Sequence, residues 1–235
     1  MISSEEAESD CGCSWLPFGL SAKRDKFHTA CSSGNVQKVA MSLTNLRNFN
    51  TPNIDGRTGF HLACMNGHFH VIDLLLQQSK ARHINLNAID SDQRTGFHLA
   101  CLFGHVKVVE VLIKESSQKK IDVTTTNNRE RTGFHLACIA GELQVVKILL
   151  KEGIQTGLDF DALDEKGRTG FHWACQRGHV KLVNHLLQES ARVNLNLNCL
   201  DYDKKSAFNL AKDCGQRDVI QLLNKEAKKR KINLS

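Results

Sequence analysis

Apolar residues in this chain recur with the spacing of an α-helix, and the helical segments come in pairs. In the segment HVKVVEVLI, which starts at His105, apolar side chains lie three and four positions apart, as on one face of a helix. A shorter apolar segment, FHLAC, precedes it, and Gly104 lies between the two. This pattern predicts two helices joined by a turn. Apolar and polar residues then alternate over residues 84–87 and 195–198, which predicts a hairpin-like loop after the second helix.

The helix pair is repeated along the chain at a fixed spacing. Every copy begins 37 residues after the one before: RTGFHLAC at Arg57, Arg94 and Arg131, RTGFHWAC at Arg168, and a degraded copy, KSAFNLAK, at Lys205. An earlier copy, KFHTAC, lies closer, because Phe27 and Phe60 are 33 residues apart. The chain is therefore divided into six units that start near residues 26, 57, 94, 131, 168 and 205.

A helix pair with a turn, and with Thr-x-Phe-His-x-Ala at the start of the first helix, resembles the ankyrin repeat. The resemblance covers roughly residues 27 to 225. It implies an all-α solenoid of stacked helix-turn-helix units with hairpin-like loops. We expect a flexible N-terminal segment over residues 1–25, a repeat domain over 26–225 and a basic C-terminal tail over 226–235.

Two features depart from the family pattern. The first is glycine where the family has proline, which suits the first turn of a helix; this predicts loose helix starts at Gly59, Gly96, Gly133 and Gly170. The second is a set of four extra residues in units two to five, at 79–82, 116–119, 153–156 and 190–193. Four residues add one helical turn, so we favour a longer second helix, with a bulged loop as the alternative. His83, Gly157 and Asn194 suit a left-handed stop after that turn.

Composition narrows the class of protein further. Only 6% of the residues are aromatic, which disfavours a single large core built from big side chains. There is no apolar run of membrane-spanning length and the N-terminus does not resemble a secretory signal, so we expect a soluble, cytoplasmic protein that contacts no membrane. Five of the nine cysteines recur with the repeat, which also favours a reducing compartment. The net charge of +6 is spread along the chain and does not indicate a nucleic-acid partner.

The two ends carry weaker motifs. The run Lys228-Lys229-Arg230-Lys231 has the size of a nuclear-import signal, and it equally suits a charge run that balances a helix dipole. Nuclear entry therefore stays an alternative to a purely cytoplasmic location. Cys11 and Cys13 could be acylated or bind metal, but a lone Cys-x-Cys favours unmodified thiols.

A His-x-x-Cys pair recurs in five units, for example at His61 and Cys64. Each pair could offer two ligands to zinc, but the next pair lies one helix spacing away, about 8–10 Å, which is too far to complete one site. Because these residues are multiplied by the repeat, they indicate architecture rather than catalysis. Phosphate loops, HExxH and paired CxxC motifs are absent from the sequence. We expect no enzymatic activity and no cofactor.

Two surfaces are candidates for binding a protein. Stacking would align Arg57, Arg94, Arg131 and Arg168 as a basic ladder, although a solvated face partly neutralised by nearby acidic residues is favoured over an acidic-ligand site. The ends of the first helices would face the concave surface, and three of them present apolar residues there. The candidate contacts at these ends are Met65, Asn66, Leu102, Phe103, Ile139 and Arg177. Phe103 is the expected anchor.

These features predict a monomeric module that binds a protein partner through its concave face and hairpin tips, as an adaptor, scaffold or inhibitor. One alternative is an inhibitor of a Rel-type transcription factor, because such inhibitors have about six ankyrin repeats. The Asp-Ser-Gly degradation motif of those inhibitors is absent here. A second alternative is a rigid structural spacer in a larger assembly.

Overall fold

The described residues, 18–230, form two layers of α-helices in a computed structural model of the chain. Each unit supplies one helix to each layer: successive first helices pack on one another, and so do successive second helices. The first helices are α1 (Phe18–Ser32), α3 (Gly59–Met65), α5 (Gly96–Leu102), α7 (Gly133–Ala140), α9 (Gly170–Gln176) and α11 (Ala207–Asp213). The second helices are α2 (Val36–Asn45), α4 (Phe69–Arg82), α6 (Val106–Lys119), α8 (Leu143–Glu152), α10 (Val180–Glu189) and α12 (Arg217–Arg230).

The first helices start at a reciprocal hydrogen-bonded cap. In α5, Thr95 Oγ1 accepts from the His98 backbone N–H at 3.4 Å, and His98 Nδ1 accepts from the Thr95 N–H at 3.2 Å. Histidine thus takes the place that Glu or Gln has in a capping box. The same arrangement begins α3, α7 and α9, and Ser206 with Asn209 forms it in α11. The expectation of loose helix starts is therefore wrong, because two backbone donors are satisfied at each start.

Glycine follows the cap of α3, α5, α7 and α9, where the phenylalanine of the preceding unit packs against it. A Cβ atom on Gly133 would lie 2.7 Å from Phe97 Cε1 and 3.0 Å from Cys101 Sγ. Phe97 is only 1% exposed, so its ring has no room to move aside. The phenylalanine ring thus fills the space that a side chain on the glycine would need, so the two residues depend on each other in the packing.

The four extra residues extend the second helix in units two and three. Helices α4 and α6 have 14 residues each, and they stop at His83 and Lys120 in the left-handed conformation, with φ of 51° and 54°. In unit four, residues 153–156 form a 3₁₀ turn that begins at Gly153, a poor helix former. In unit five, residues 190–193 form hydrogen-bonded turns after α10. The prediction of a longer α-helix is thus confirmed in two units and replaced by tighter turns in the other two.

Helices cross both predicted domain boundaries. Helix α1 begins at Phe18, so eight residues of the predicted flexible segment 1–25 are helical, and α12 continues through the tail to Arg230. The division into 1–25, 26–225 and 226–235 otherwise stays a prediction. Cys11, Cys13 and residue 231 of the basic run lie outside the described residues. Within 18–230, no helix is both long and apolar enough to cross a membrane.

Because Phe97 packs tightly against Gly133 and leaves no room for a Cβ atom, Gly133→Ala is expected to destabilise the protein. Alanine is the better helix former, but overpacking a filled core costs about 1–3 kcal/mol. Urea unfolding of the wild type and the variant measures the difference. In a Phe97→Leu background, where the ring is smaller, the same Gly133→Ala change should cost less; an equal or larger cost there would contradict this account.

Candidate functional site

Buried Asp and Asn side chains organise the hairpin loops next to the predicted arginine ladder. The carboxylate oxygen Asp90 Oδ1 accepts the backbone N–H groups of Asp92 and Arg94, at 3.0 and 2.9 Å. The same two bonds form in every loop, at Asn53, Asp90, Asn127, Asp164 and Asp201. Sequence reasoning missed this series, although its 37-residue spacing was visible.

The arginines of the ladder bind these buried carboxylates. Arg131 Nε lies 3.2 Å from Asp164 Oδ2 in the next hairpin loop, and Arg168 Nε lies 3.0 Å from Asp201 Oδ2 in the loop after that. Arg94 instead turns back to Asp90 in its own loop, at 2.9 Å, because the equivalent residue of the next hairpin loop is the uncharged Asn127. The charge of the neighbouring loop thus decides which way each arginine points.

Arg57 completes the set. Its guanidinium lies 3.4 Å from Asp55 in its own loop and 3.6 Å from Asp90 in the next hairpin loop. Burial alone would raise the pKa of Asp90, but hydrogen bonds from Arg94 and from backbone N–H groups outweigh it and hold that pKa below its ordinary value. Because all four arginines are paired, an acidic partner would have to compete with carboxylates already in place. The geometry therefore does not favour the ladder as a binding site.

Trp173 strengthens the same network in unit five. Its indole Nε1–H donates to Asp164 Oδ2 at 2.8 Å. The guanidinium carbons of Arg131 and Arg168 lie 4.5 and 5.2 Å from its ring centroid, within cation–π range. The tryptophan takes the place of leucine in the other units and links two arginines to one carboxylate. It belongs to the frame of the loops.

The His-x-x-Cys pairs are also structural. His98 Nδ1 accepts from Thr95, so its Nε2 carries the proton and donates to the Arg131 carbonyl of the next unit at 3.1 Å. Both ring nitrogens of His98 are used, which leaves no lone pair for a metal, whereas the equivalent Nε2 of His172 has no hydrogen-bond partner among the described residues. Burial raises the pKa of the Cys101 thiol well above its ordinary value. Among the described residues, no group of three His, Cys, Asp or Glu side chains could hold a metal ion.

The ends of the first helices form the second candidate surface, which we call the helix-end face. It consists of the six residues predicted from the sequence: Met65, Asn66, Leu102, Phe103, Ile139 and Arg177. Met65, Leu102 and Ile139 are half-buried. Phe103 is 47% exposed and is the only large, exposed apolar residue of this face in the described chain. Asn66 and Arg177 are exposed on either side of it along the stack.

Other exposed apolar side chains lie on the hairpin loops, and sequence reasoning did not single them out. Ile89, Leu163 and Leu200 occupy one repeat position and are 57%, 44% and 55% exposed. Their common position at multiples of 37 residues was the available signal. They lie on hairpin loops and not at the helix ends, so they are useful as controls for Phe103.

A row of side-chain donors links each first-helix end to the next unit. In four of the five steps between units, a side chain at the start of a second helix donates to a carbonyl at the end of the preceding first helix. The pairs are His68 to Ser32 at 2.7 Å, His105 to Met65 at 2.7 Å, His179 to Ile139 at 3.0 Å and Gln216 to Gln176 at 3.0 Å. The step from unit three to unit four has Glu142 in the donor position.

The opposite edge of the stack also changes at that step. Asn87 bridges units two and three by donating to the Lys120 carbonyl at 2.7 Å and accepting the Asp122 N–H at 2.9 Å. Thr124 holds the equivalent position one unit later and makes no such bridge. A cleft of about 700 Å³ opens there, between the end of α6 and the 3₁₀ turn at 153–156.

The stacked helix pairs, caps and hairpins define an all-α repeat solenoid. A family model of ankyrin repeats (three copies) matches residues 27–127, 117–196 and 134–233, and the chain belongs to the ankyrin-repeat family. This confirms both the predicted family and the predicted fold class. Ankyrin repeats generally mediate protein–protein interactions and are typically not enzymes. A search of curated proteins found no match.

The buried imidazoles make the stability depend on pH. Burial lowers the pKa of His98 to about 4, so the unfolded chain takes up a proton below about pH 6.5 while the folded chain does not. This stability is fully present above pH 6.5 and is lost as pH falls toward 4. Between pH 7.5 and 5, His98 alone should account for a loss of about 2 kcal/mol in the free energy of unfolding.

The matched control for this prediction is His98→Asn, because Asn209 already caps α11 in the same way. The variant should be less stable than the wild type at pH 7.5, since it lacks the bond to the Arg131 carbonyl. Its further loss between pH 7.5 and 5, measured by urea unfolding, should be smaller by about the same 2 kcal/mol. Equal pH-dependent losses in the two proteins would refute the assignment.

Proposed function

We propose that this chain binds a protein partner on the helix-end face, with Phe103 as the central anchor. The observation that carries the proposal is the 47% exposure of a phenylalanine in the middle of the stack, at a position where unit two has Asn66 and unit five has Arg177. Aromatic anchors near the centre of an interface contribute most of its binding energy. The half-buried Leu102 and Ile139 extend the apolar area on both sides of it.

The arrangement of the flanking residues suits one continuous partner surface. Apolar residues occupy the middle units, and the polar Asn66 and Arg177 lie toward the two ends of the face. An apolar centre with a polar rim is the usual anatomy of a protein interface.

Within this class we propose a monomeric adaptor or inhibitor that works in the cytoplasm. The seven described cysteines are all free thiols, five of them buried, which suits a reducing compartment. Six stacked units also keep the Rel-type inhibitor as a second candidate. Binding of a purified Rel-homology domain to the intact chain tests that candidate directly, and sedimentation at rising concentration tests the monomer.

Phe103→Asn tests the anchor. The substitution copies Asn66, which donates to its own helix at Leu62 O, so α5 should be retained and circular dichroism should be unchanged. Proteins captured from a cell lysate are quantified for the wild type and for the variant. Loss of an anchor costs at least about 2 kcal/mol, so the true partner should fall roughly thirtyfold or below detection.

The matched control is Leu163→Asn, which removes an exposed apolar side chain from a hairpin loop. It should leave the partner bound. Capture that is equal for wild type and Phe103→Asn, or that depends on Leu163 instead, would sink the helix-end face as the binding site.

A further inference from the structure

The side-chain ladder along the helix-end face is interrupted at Glu142. A Cβ atom on Gly104 would lie 2.2 Å from Glu142 Oε2, just as one on Gly67 would lie 2.4 Å from His105 Nδ1. The carboxylate therefore occupies the place that the imidazole has one unit earlier. By the register of the repeat it faces the Leu102 carbonyl, as His105 faces Met65.

No donor of the described residues takes over from the missing imidazole. The nearby backbone N–H groups are used elsewhere: His105 N–H donates to Ala100 and Val106 N–H donates to Gly104, each at 3.0 Å. An ionised carboxylate has acceptors only, so it cannot bond to a carbonyl. The Leu102 carbonyl and Glu142 thus present two acceptors toward one gap, beside the exposed Phe103.

The surrounding chain does not neutralise this carboxylate. Units three and five carry Lys107 and Lys181 two residues after the ladder position, but unit four has Gln144 there. Glu142 also forms no ion pair with the described part of the chain. Its carboxylate therefore has no salt-bridge partner within residues 18–230, and the exposed ring of Phe103 lies on the same face.

A cationic donor satisfies both acceptors at once. A Lys ammonium or an Arg guanidinium has several N–H groups and a positive charge, so it can donate to the carbonyl and to the carboxylate together. The methylene stem of either side chain packs on apolar surface while its charged end reaches a polar group. An acidic or purely apolar group would remove water from the carbonyl and the carboxylate without giving either of them a hydrogen-bond donor.

We propose that Glu142 and the Leu102 carbonyl bind a Lys or Arg side chain of the protein partner, with the stem of that side chain lying on Phe103. This proposal rests on the helix-end face being the binding surface. It adds the chemistry of the partner: a segment in which a basic residue is adjacent to an apolar one.

Selection of random linear peptides displayed on phage, against the intact immobilised chain, tests the proposal. Enriched peptides should carry Lys or Arg next to an apolar residue. Synthetic copies are then titrated into the wild type and into Glu142→Gln, which keeps the side-chain shape and can donate to the Leu102 carbonyl as Gln216 donates to Gln176. Binding should weaken by about tenfold or more, the effect of losing one charge-assisted bond, and the wild-type affinity should fall with salt.

Two controls separate the outcomes. Glu110→Gln removes one negative charge from α6, where Glu110 pairs with Lys114, and should leave peptide binding unchanged. Phe103→Asn should weaken every enriched peptide. Peptides that need Phe103 but show no basic residue, or that bind Glu142→Gln equally well, overturn the cation site and leave the helix-end face intact. Peptides indifferent to Phe103→Asn, or the absence of any enriched peptide, overturn both.

Discussion

In units two to four, the stack depends on one imidazole per unit that is held between two units. In unit three, His98 closes the N-terminal cap of its own helix through Nδ1 and bonds the Arg131 carbonyl of the next unit through Nε2. The cap can form only with the neutral ring, and the neutral ring fixes the proton on Nε2, where the next unit needs a donor. Local helix formation and the attachment of the following hairpin are therefore one event, which is how short helices of seven residues persist in the array.

Packing follows from this attachment. Once the next hairpin is fixed, its glycine lies against the phenylalanine of the preceding unit, and any side chain at that glycine would overlap the ring. Glycine at the start of a helix is usually a source of looseness, since it loses more backbone entropy than other residues. Here the cap on one side and the ring on the other leave it a single position, so its entropic cost is offset by a close contact between units.

Features that depend on one unit at a time could be predicted from the sequence, and features that depend on two could not. The helix pairs, the repeat starts and the left-handed stops at His83, Gly157 and Asn194 follow from local pattern. Lys120 adopts the same stop against its own preference, because Ile121 N–H bonds Ser116 O as Ile84 N–H bonds Ser79 O one unit earlier. The direction of each arginine depends on whether the next loop carries Asp or Asn, which becomes decisive only when the cross-unit distance is known. The helix-end residues could be named from the sequence as candidate contacts, but the role of Glu142 became visible only when the bonds between units were known.

Both edge ladders change at the boundary between units three and four. On one edge Thr124 replaces the bridging asparagine, and on the other Glu142 replaces the bridging imidazole. The contact between Phe97 and Gly133 remains, and so does the hairpin bond from Asn128 N–H to the Asp92 carbonyl at 3.1 Å. In a linear array, the free energy of unfolding is approximately a sum of the stabilities of the units and of the interfaces between neighbours. The interface between units three and four therefore depends more on the core and the hairpin bond, because both of its edge bridges are missing. The Leu102 carbonyl and the Glu142 carboxylate, which do not bond to each other across this interface, keep unused hydrogen-bonding capacity, and the exposed ring of Phe103 lies on the same face. A surface built to be the same in every unit thereby acquires one place that differs from the rest.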